Sequence, residues 1–410
     1  MRILFHHNNF PGQYRRILKY LGTRRGYKMS CLTLSSNQQE ITIPRVNFKP
    51  HRQANPGGMH PSLLYTENAV LHGHAAFAAL HEMKKRKFKP DIILTHSGWG
   101  ASLFFKDVFP DAKQLSYFEW YYNASNSDVS FVAPEKAHDP NQQMRIRMKN
   151  TPILHDLAAM DWGQCPTHYQ LSRFPAQFRD RISVLHDGVD TGFFSPDETA
   201  VVEVEGKRFS ADDEIITYVA RGMEPYRGFH QFMEAVSILQ KQRPNLQVII
   251  LGADKVSYSA ACPVEGKTYK DLALEAFEFD HARLHFLGLQ PLDVFRDLMR
   301  ITRAHVYLTV PFVLSWSMME AMAAGALVVG SRTEPVEEVI EDGRNGLLVP
   351  FFEPATLAET VCRVLADPAA HAPLRKAARE TILERYDIRD LLPRYEELIV
   401  SVANGSHSGV

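Results

Sequence analysis

The stretch Pro311–Gly330, PFVLSWSMMEAMAAGALVVG, decides the fold class. It reads as a loop, a helix starting near Ser317, a stop at Gly325 and a buried apolar strand over Leu327–Gly330. The small residues Ala321, Ala323 and Ala324 allow such a helix to lie close to a sheet. Its amino end then offers unpaired N–H groups and a positive dipole end, a ready site for a phosphate. Glu320 has a purely structural reading here, because Ser317-x-x-Glu320 has the spacing of a capping box.

Working outward, short apolar runs alternate with amphipathic stretches, as in βα units around a parallel sheet. In the first half strands are expected at Arg2–Phe5, Lys28–Leu34, Asp91–Thr95, Gln114–Phe118 and Ile182–Leu185, with helices at Gln13–Leu21 and Tyr65–Lys85. Asp187-Gly188 reads as a turn and the polar stretch Ser195–Glu214 as a linker. Strands restart at Ile215–Ala220, Gln247–Leu251, Arg283–Phe286, Ala304–Thr309 and Leu327–Gly330. Helices are expected between them at Phe229–Gln242, Leu292–Arg300, Met318–Ala324 and Ala355–Ala366. The reading is α/β: two Rossmann-like, doubly wound domains facing a central cleft, over residues 1–194 and 195–385. A final helix over 386–403 is expected to return towards the first domain, and Asn404–Val410 to be disordered.

The 410 residues suit two cores, and 45% hydrophobic with 23% charged content is globular. No run of about 18 apolar residues spans a membrane, and MRILFHHNNF turns polar too soon for a signal-peptide core. Cys31, Cys165, Cys262 and Cys362 form no CxxC pair, which argues against zinc and disulfides and suits the cytosol. The net charge of −1 hides an asymmetry: residues 1–190 hold 24 Lys+Arg against 15 Asp+Glu, and the remainder 22 against 32. The basic half suits an acidic substrate or peripheral contact with anionic lipid at the inner face of the cell membrane; solvated helix faces are the plainer reading.

The second informative block is Tyr218–Val236, YVARGMEPYRGFHQFMEAV. Arg221 follows a strand and Arg227-Gly228 precedes a helix. A cation at a helix amino end is disfavoured by the dipole unless an anion shares the site. Two such arginines either converge on a pyrophosphate or sit solvated on the surface.

Together these blocks resemble glycosyltransferase family 4, retaining enzymes of GT-B architecture. The resemblance rests on Ala220-Arg221 with Arg227-Gly228, His186-Asp187-Gly188-Val189-Asp190, the Glu320–Gly325 helix, and Glu338–Ile340 with Gly343 and Asn345-Gly346. It covers about residues 180–400, and the first half in architecture alone. It implies that Arg221 and Arg227 hold the donor pyrophosphate and that Glu320 accepts from the ribose hydroxyls. Val313, Leu314, Ser315, Trp316 and Ser317 would present backbone N–H groups to sugar and phosphate, and Leu287-Gly288 would touch the base. One position departs: the family usually has a second glutamate, touching the donor sugar, where this chain has Phe312, followed by Val313 for a glycine.

In the first half, Gly12 follows a strand, where a glycine lets backbone approach the donor. Trp99, in His96-Ser97-Gly98-Trp99-Gly100, is either an acceptor-side stacking ring or a core tryptophan. Glu119, among the five aromatics Tyr117, Phe118, Trp120, Tyr121 and Tyr122 at a strand end, sits where the family places a cleft histidine and is read as the acceptor-side catalytic group. His186 is read as structural. The chain is therefore expected to move a sugar from a UDP- or GDP-sugar to a saccharide or lipid-linked acceptor, with retention, no metal, no further cofactor and no nucleic-acid partner. An epimerase or hydrolase, or a catalytically silent sugar-nucleotide-binding protein, are the rivals on one architecture. An NAD-dependent enzyme is disfavoured because neither half has GxGxxG after its first strand.

Overall fold

Continuous apolar runs such as Ile3-Leu4-Phe5 and Ile92-Ile93-Leu94 form strands buried on both faces, the signature of a parallel sheet covered by helices. The computed structural model describes residues 1–406. It divides into two compact units, Met1–Gly188 together with the chain from Ile388 onward, and Val189–Asp387.

The first unit holds β1 (Arg2–His6), β2 (Lys28–Leu34), β3 (Arg45–Phe48), β4 (Ile92–His96), β5 (Lys113–Tyr117), β6 (Trp162–Cys165) and β7 (Ile182–Val184). Their order is β3-β2-β1-β4-β5-β6-β7. The second unit opens with the hairpin β8 (Val201–Val204) and β9 (Lys207–Ser210). Its sheet contains β10 (Ile215–Gly222), β11 (Gln247–Ala253), β12 (Leu284–Gly288), β13 (Ala304–Tyr307), β14 (Val328–Ser331) and β15 (Leu347–Val349). The order is β12-β11-β10-β13-β14-β15, parallel throughout. In each sheet the order reverses once, between β1 and β4 and between β10 and β13. Loops leaving the carboxyl ends of those strands diverge to opposite faces and leave a crevice.

The expected strands agree with these to within two residues, whereas β3, β6 and β15 were not anticipated. The supposed linker Ser195–Glu214 is corrected: it carries the β8–β9 hairpin. Val202, Val204 and Phe209 alternate inward and join the core around Ile215, Leu298 and Met322. Glu205-Gly206, both at positive φ, supplies the tight turn.

The last helix, Ile388–Asn404, belongs to the first unit, and the divisions fall at Gly188/Val189 and Asp387/Ile388 instead of 194 and 385. Leu391, Leu392, Tyr395, Ile399 and Val402 pack among Ile3, Phe5, Ile17 and Leu115. Asn404, expected to begin a disordered tail, ends this helix, and the rest of that expectation from residue 407 lies outside the described residues. No helix among the described residues is long and apolar enough to cross a membrane. Ile399 is fully buried, so Ile399→Ala should destabilise the first unit by about 2–5 kcal/mol. Denaturant unfolding should show one transition moved to lower concentration, with the second unit's transition unchanged.

Candidate active site

In the second unit, β10 ends at Arg221-Gly222, a tight turn spans Pro225–Arg227, and Gly228 (φ +61°) starts the helix Phe229–Gln242. A Cβ at Gly228 would lie 2.6 Å from the Leu308 side chain, so only glycine fits there. The turn thus abuts the loop after β13 and aims Arg227 into it. Arg227 is buried; its Nη1 donates to Thr309 Oγ1 (2.7 Å) and Tyr307 Oη (3.3 Å), and its Nη2 to the Val313 carbonyl (3.1 Å). Of the five N–H donors of a guanidinium, two on Nη1 and one on Nη2 are used. The other two, one on Nη2 and one on Nε, have no acceptor among the described residues. Burial alone lowers a guanidinium, but the phenols of Tyr307, Tyr258 and Tyr218 and the Glu224 carboxylate outweigh it and push Arg227 up. Arg221, by contrast, is exposed at the end of β10, and its side chain makes no hydrogen bond among the described residues.

Glu224 is fully buried and was not singled out in the sequence. Its Oε2 accepts from the backbone N–H groups of Ser257 (3.0 Å), Tyr258 (2.8 Å) and Ser259 (2.7 Å). The pinned loop sets the Tyr258 ring 5.2 Å from the Arg227 guanidinium carbon. Phe312 is buried against the same loop, its ring 5.3 Å from Tyr258 and 5.7 Å from Tyr226. Where the family usually has an acid, this chain has an aromatic cluster.

The helix expected near Ser317 spans Trp316–Ala323, with Ser315 as N-cap accepting from the Ser317 N–H (3.4 Å). The third helical position is therefore Met318, and a Ser317–Glu320 capping box is not formed. Glu320 lies one turn further in, 7% exposed. The N–H groups expected to face a ligand divide. That of Ser315 is spent on Tyr307 Oη (2.8 Å), while those of Val313 and Leu314 have no acceptor among the described residues. Leu287 packs partly buried against the core next to Gly288, at the end of β12.

In the first unit the loops after β1, β4 and β5 meet. Gly12 (φ +47°) makes room for a neighbouring side chain: a Cβ there would lie 2.3 Å from the His7 ring. His7 Nε2 is 2.7 Å from Gln13 Oε1, and Gln13 Nε2 donates to Glu119 Oε1 (3.1 Å). Glu119 lies two residues beyond β5 instead of ending it, its side chain a third exposed, with Oε2 3.3 Å from His96 Nε2. Burial raises the Glu119 carboxyl, but His96, His7 and Gln13 outweigh this and hold it below the ordinary range. Burial, reinforced by His96, pushes His7 down to about 3. Trp99 stacks on His96 (4.1 Å, 12° between planes), so one of its faces is filled from within. His186 is buried and accepts from the Gly188 N–H (3.0 Å), a turn-forming role. Gln13, His7 and His96 went unassigned because only the fold brings them to Glu119.

Residues 25–194 match the profile described as glycosyl transferase family 4 group, and residues 203–381 that of glycosyl transferases group 1. The chain belongs to the family 4 glycosyl transferases. A D-inositol 3-phosphate glycosyltransferase of Corynebacterium efficiens is 30% identical over 195 residues, 46% of this chain and 43% of that protein. An α-maltose-1-phosphate synthase of Mycolicibacterium smegmatis is 25% identical over 231 residues, 53% of this chain and 56% of that protein. The chain thus spans about half the length of the curated relatives it matches. Among solved structures, sucrose-phosphate synthase of Thermosynechococcus elongatus aligns with a TM-score of 0.71 at 16% identity, covering 99% of this chain and 100% of that one. HepE of Anabaena, solved with UDP, aligns at 0.68 and 16% identity, covering 98% and 100%. The fold of this family 4 chain is GT-B.

Glu224 anchors the loop beside Arg227 through one oxygen. Glu224→Ala leaves three N–H groups without that acceptor and should cost at least about 3 kcal/mol. Hydrogen exchange at Ser257–Ser259 should accelerate far more than in β10.

Proposed function

We propose that this family 4 chain transfers a glycosyl group, with retention and without a metal, from a nucleoside diphosphate sugar to a hydroxyl of a saccharide or lipid-linked acceptor. One observation carries the reading: a buried, charged Arg227 at the switch point of the second sheet, held through three donors with two left over. A guanidinium so held offers two parallel N–H groups to phosphate oxygens without reorganising. Arg221 and the unpaired N–H groups of Val313 and Leu314 add donors, so charge developing on the leaving diphosphate is stabilised as the anomeric bond breaks. Glu320 accepts from the ribose hydroxyls. Glu119 of the first unit orients the acceptor hydroxyl and takes its proton. The UDP held by HepE makes UDP-sugars the first donors to try. The basic first unit suits an acidic acceptor and contact with anionic lipid. Four free cysteines suit a cytoplasmic location.

Phe312 favours a second reading, a silent sugar-nucleotide binder, because an aromatic cluster stands where a carboxylate is usual. Release of UDP from UDP-glucose that rises with added saccharide acceptor supports transfer. Tight UDP-glucose binding with no release under any acceptor supports the silent reading.

Arg227→Ala should weaken UDP binding by about 1.5–3 kcal/mol per lost charged hydrogen bond, and Arg221→Ala by less, because Arg221 is exposed. Unchanged calorimetric affinity in both variants would remove the donor-site assignment. Glu320→Gln should lower UDP affinity measured by calorimetry, because the ribose hydroxyls lose a charged acceptor.

A further inference from the structure

The helix Pro140–Lys149, in the first unit, carries Arg145, Arg147 and Lys149 and no acidic residue. Its carboxyl end, which favours cations, is tied to the chain just beyond Glu119. Asn150, the residue after the helix, accepts from the Tyr122 N–H (2.9 Å) and donates to the Tyr122 carbonyl (2.8 Å). That fork sets Lys149 against the Tyr122 ring, with Nζ 3.7 Å from the ring centroid. The same helix packs on the start of the helix Leu64–Lys85, and the Tyr65 ring centroid there is 5.0 Å from the same Nζ.

Both rings offer Lys149 a π face and not a carboxylate. Its side chain is half-buried, yet its ammonium makes no hydrogen bond or ion pair among the described residues. Burial lowers that ammonium, outweighing the attraction of the Asp128 carboxylate. Arg147, two positions earlier and exposed, is likewise without a side-chain hydrogen bond or ion pair among the described residues. Its charge reaches the Tyr121 phenol and opposes the rise that burial gives it. Two cations therefore flank the segment Tyr121-Tyr122. That segment adjoins Glu119: the Tyr122 phenol is raised by burial first and then by the Glu119 carboxylate.

An exposed lysine needs no protein partner, because water supplies one. An ammonium between two rings has given up part of its water, so an arriving anion meets a charge already partly desolvated and held in place. Nearby acids are engaged elsewhere: Glu119 accepts from Gln13, and Glu67 pairs with Arg52. Tyr65 is 51% exposed, which leaves the pair of rings open to solvent. A phosphate monoester carries about −1.5 to −2 charges at pH 7 and matches two cations better than a carboxylate does. Arginine grips two of its oxygens with a fork, and lysine acts as a point charge.

We propose that Lys149 and Arg147 form a phosphate subsite for the acceptor, so that the saccharide presented to Glu119 bears a phosphate. The inference rests on the transfer reading and names its acceptor class.

The test uses ¹H–¹³C spectra of the full chain labelled at lysine Cε, with Lys149→Met identifying a resonance that the two rings shift upfield. Inorganic phosphate should move Lys149 more than the other lysines. Glucose 6-phosphate should bind at least about tenfold tighter than glucose, the least that one charged hydrogen bond provides. Arg147→Gln, at an exposed position, should remove much of that advantage. A Lys149 resonance that neither phosphate nor glucose 6-phosphate moves, or an affinity unchanged in Arg147→Gln, overturns the subsite. Glucuronate bound as tightly as glucose 6-phosphate overturns the choice of phosphate. Phosphatidylglycerol vesicles that shift Lys149 when glucose 6-phosphate does not make these cations a membrane contact and overturn the acceptor subsite. Release of UDP from UDP-glucose, followed with both sugars, separates the two claims. Phosphate bound at Lys149 with no release under any acceptor supports the subsite and sinks the transfer reading. Release stimulated equally by glucose and glucose 6-phosphate supports transfer and overturns the subsite.

Discussion

Reversal of strand order is the constraint from which the rest of each unit follows. Between β1 and β4, and again between β10 and β13, neighbouring strands send their connections to opposite faces. Only there does a parallel sheet leave its carboxyl ends uncovered. The groups with chemistry gather at those ends: His7 and Gln13 beyond β1, His96 and Trp99 beyond β4, and Arg221 and Arg227 beyond β10. Thr309 and Val313 follow β13 and complete the cradle of Arg227.

The two sites solve different electrostatic problems. Arg227 carries a permanent charge and is buried among neutral acceptors, so its position is fixed by geometry while two of its N–H groups stay unused among the described residues. Glu119 is partly exposed and stands beside His96 and Gln13. Its ionisation is set by neighbours that are themselves held by backbone atoms, the Ser97 carbonyl and the Asn9 N–H. Side chains held by main chain do not drift when solvent or ligand changes.

Much of this was legible in the amino-acid pattern. Apolar runs such as Val248–Leu251 and the Glu320–Gly325 segment gave strand and helix positions because burial on both faces leaves an unbroken signal. β6 was not, because Gly163 and Gln164 interrupt the apolar run of a strand that is nonetheless buried. β15, at three residues, is too short for any period. The β8–β9 hairpin was legible in Val202, Val204 and Phe209 but was masked by the charged residues alternating with them. Arg227 and Glu119 stood out by residue type and neighbourhood. Glu224, Gln13 and His96 did not, since their roles depend on partners up to 106 positions away. No local pattern carries that information.

The helix Ile388–Asn404 has a consequence for biosynthesis. It completes the core of the first unit, yet it is translated after every residue of the second. On a ribosome adding 5–20 residues per second, roughly 200 residues separate Gly188 from Ile388, a delay of about 10–40 s. Throughout that interval the nascent first unit carries an uncovered apolar face around Ile3, Phe5, Ile17 and Leu115, while the second unit can finish folding. Emergence order and maturation order are therefore inverted, and the nascent chain is most open to chaperones just before its last helix appears.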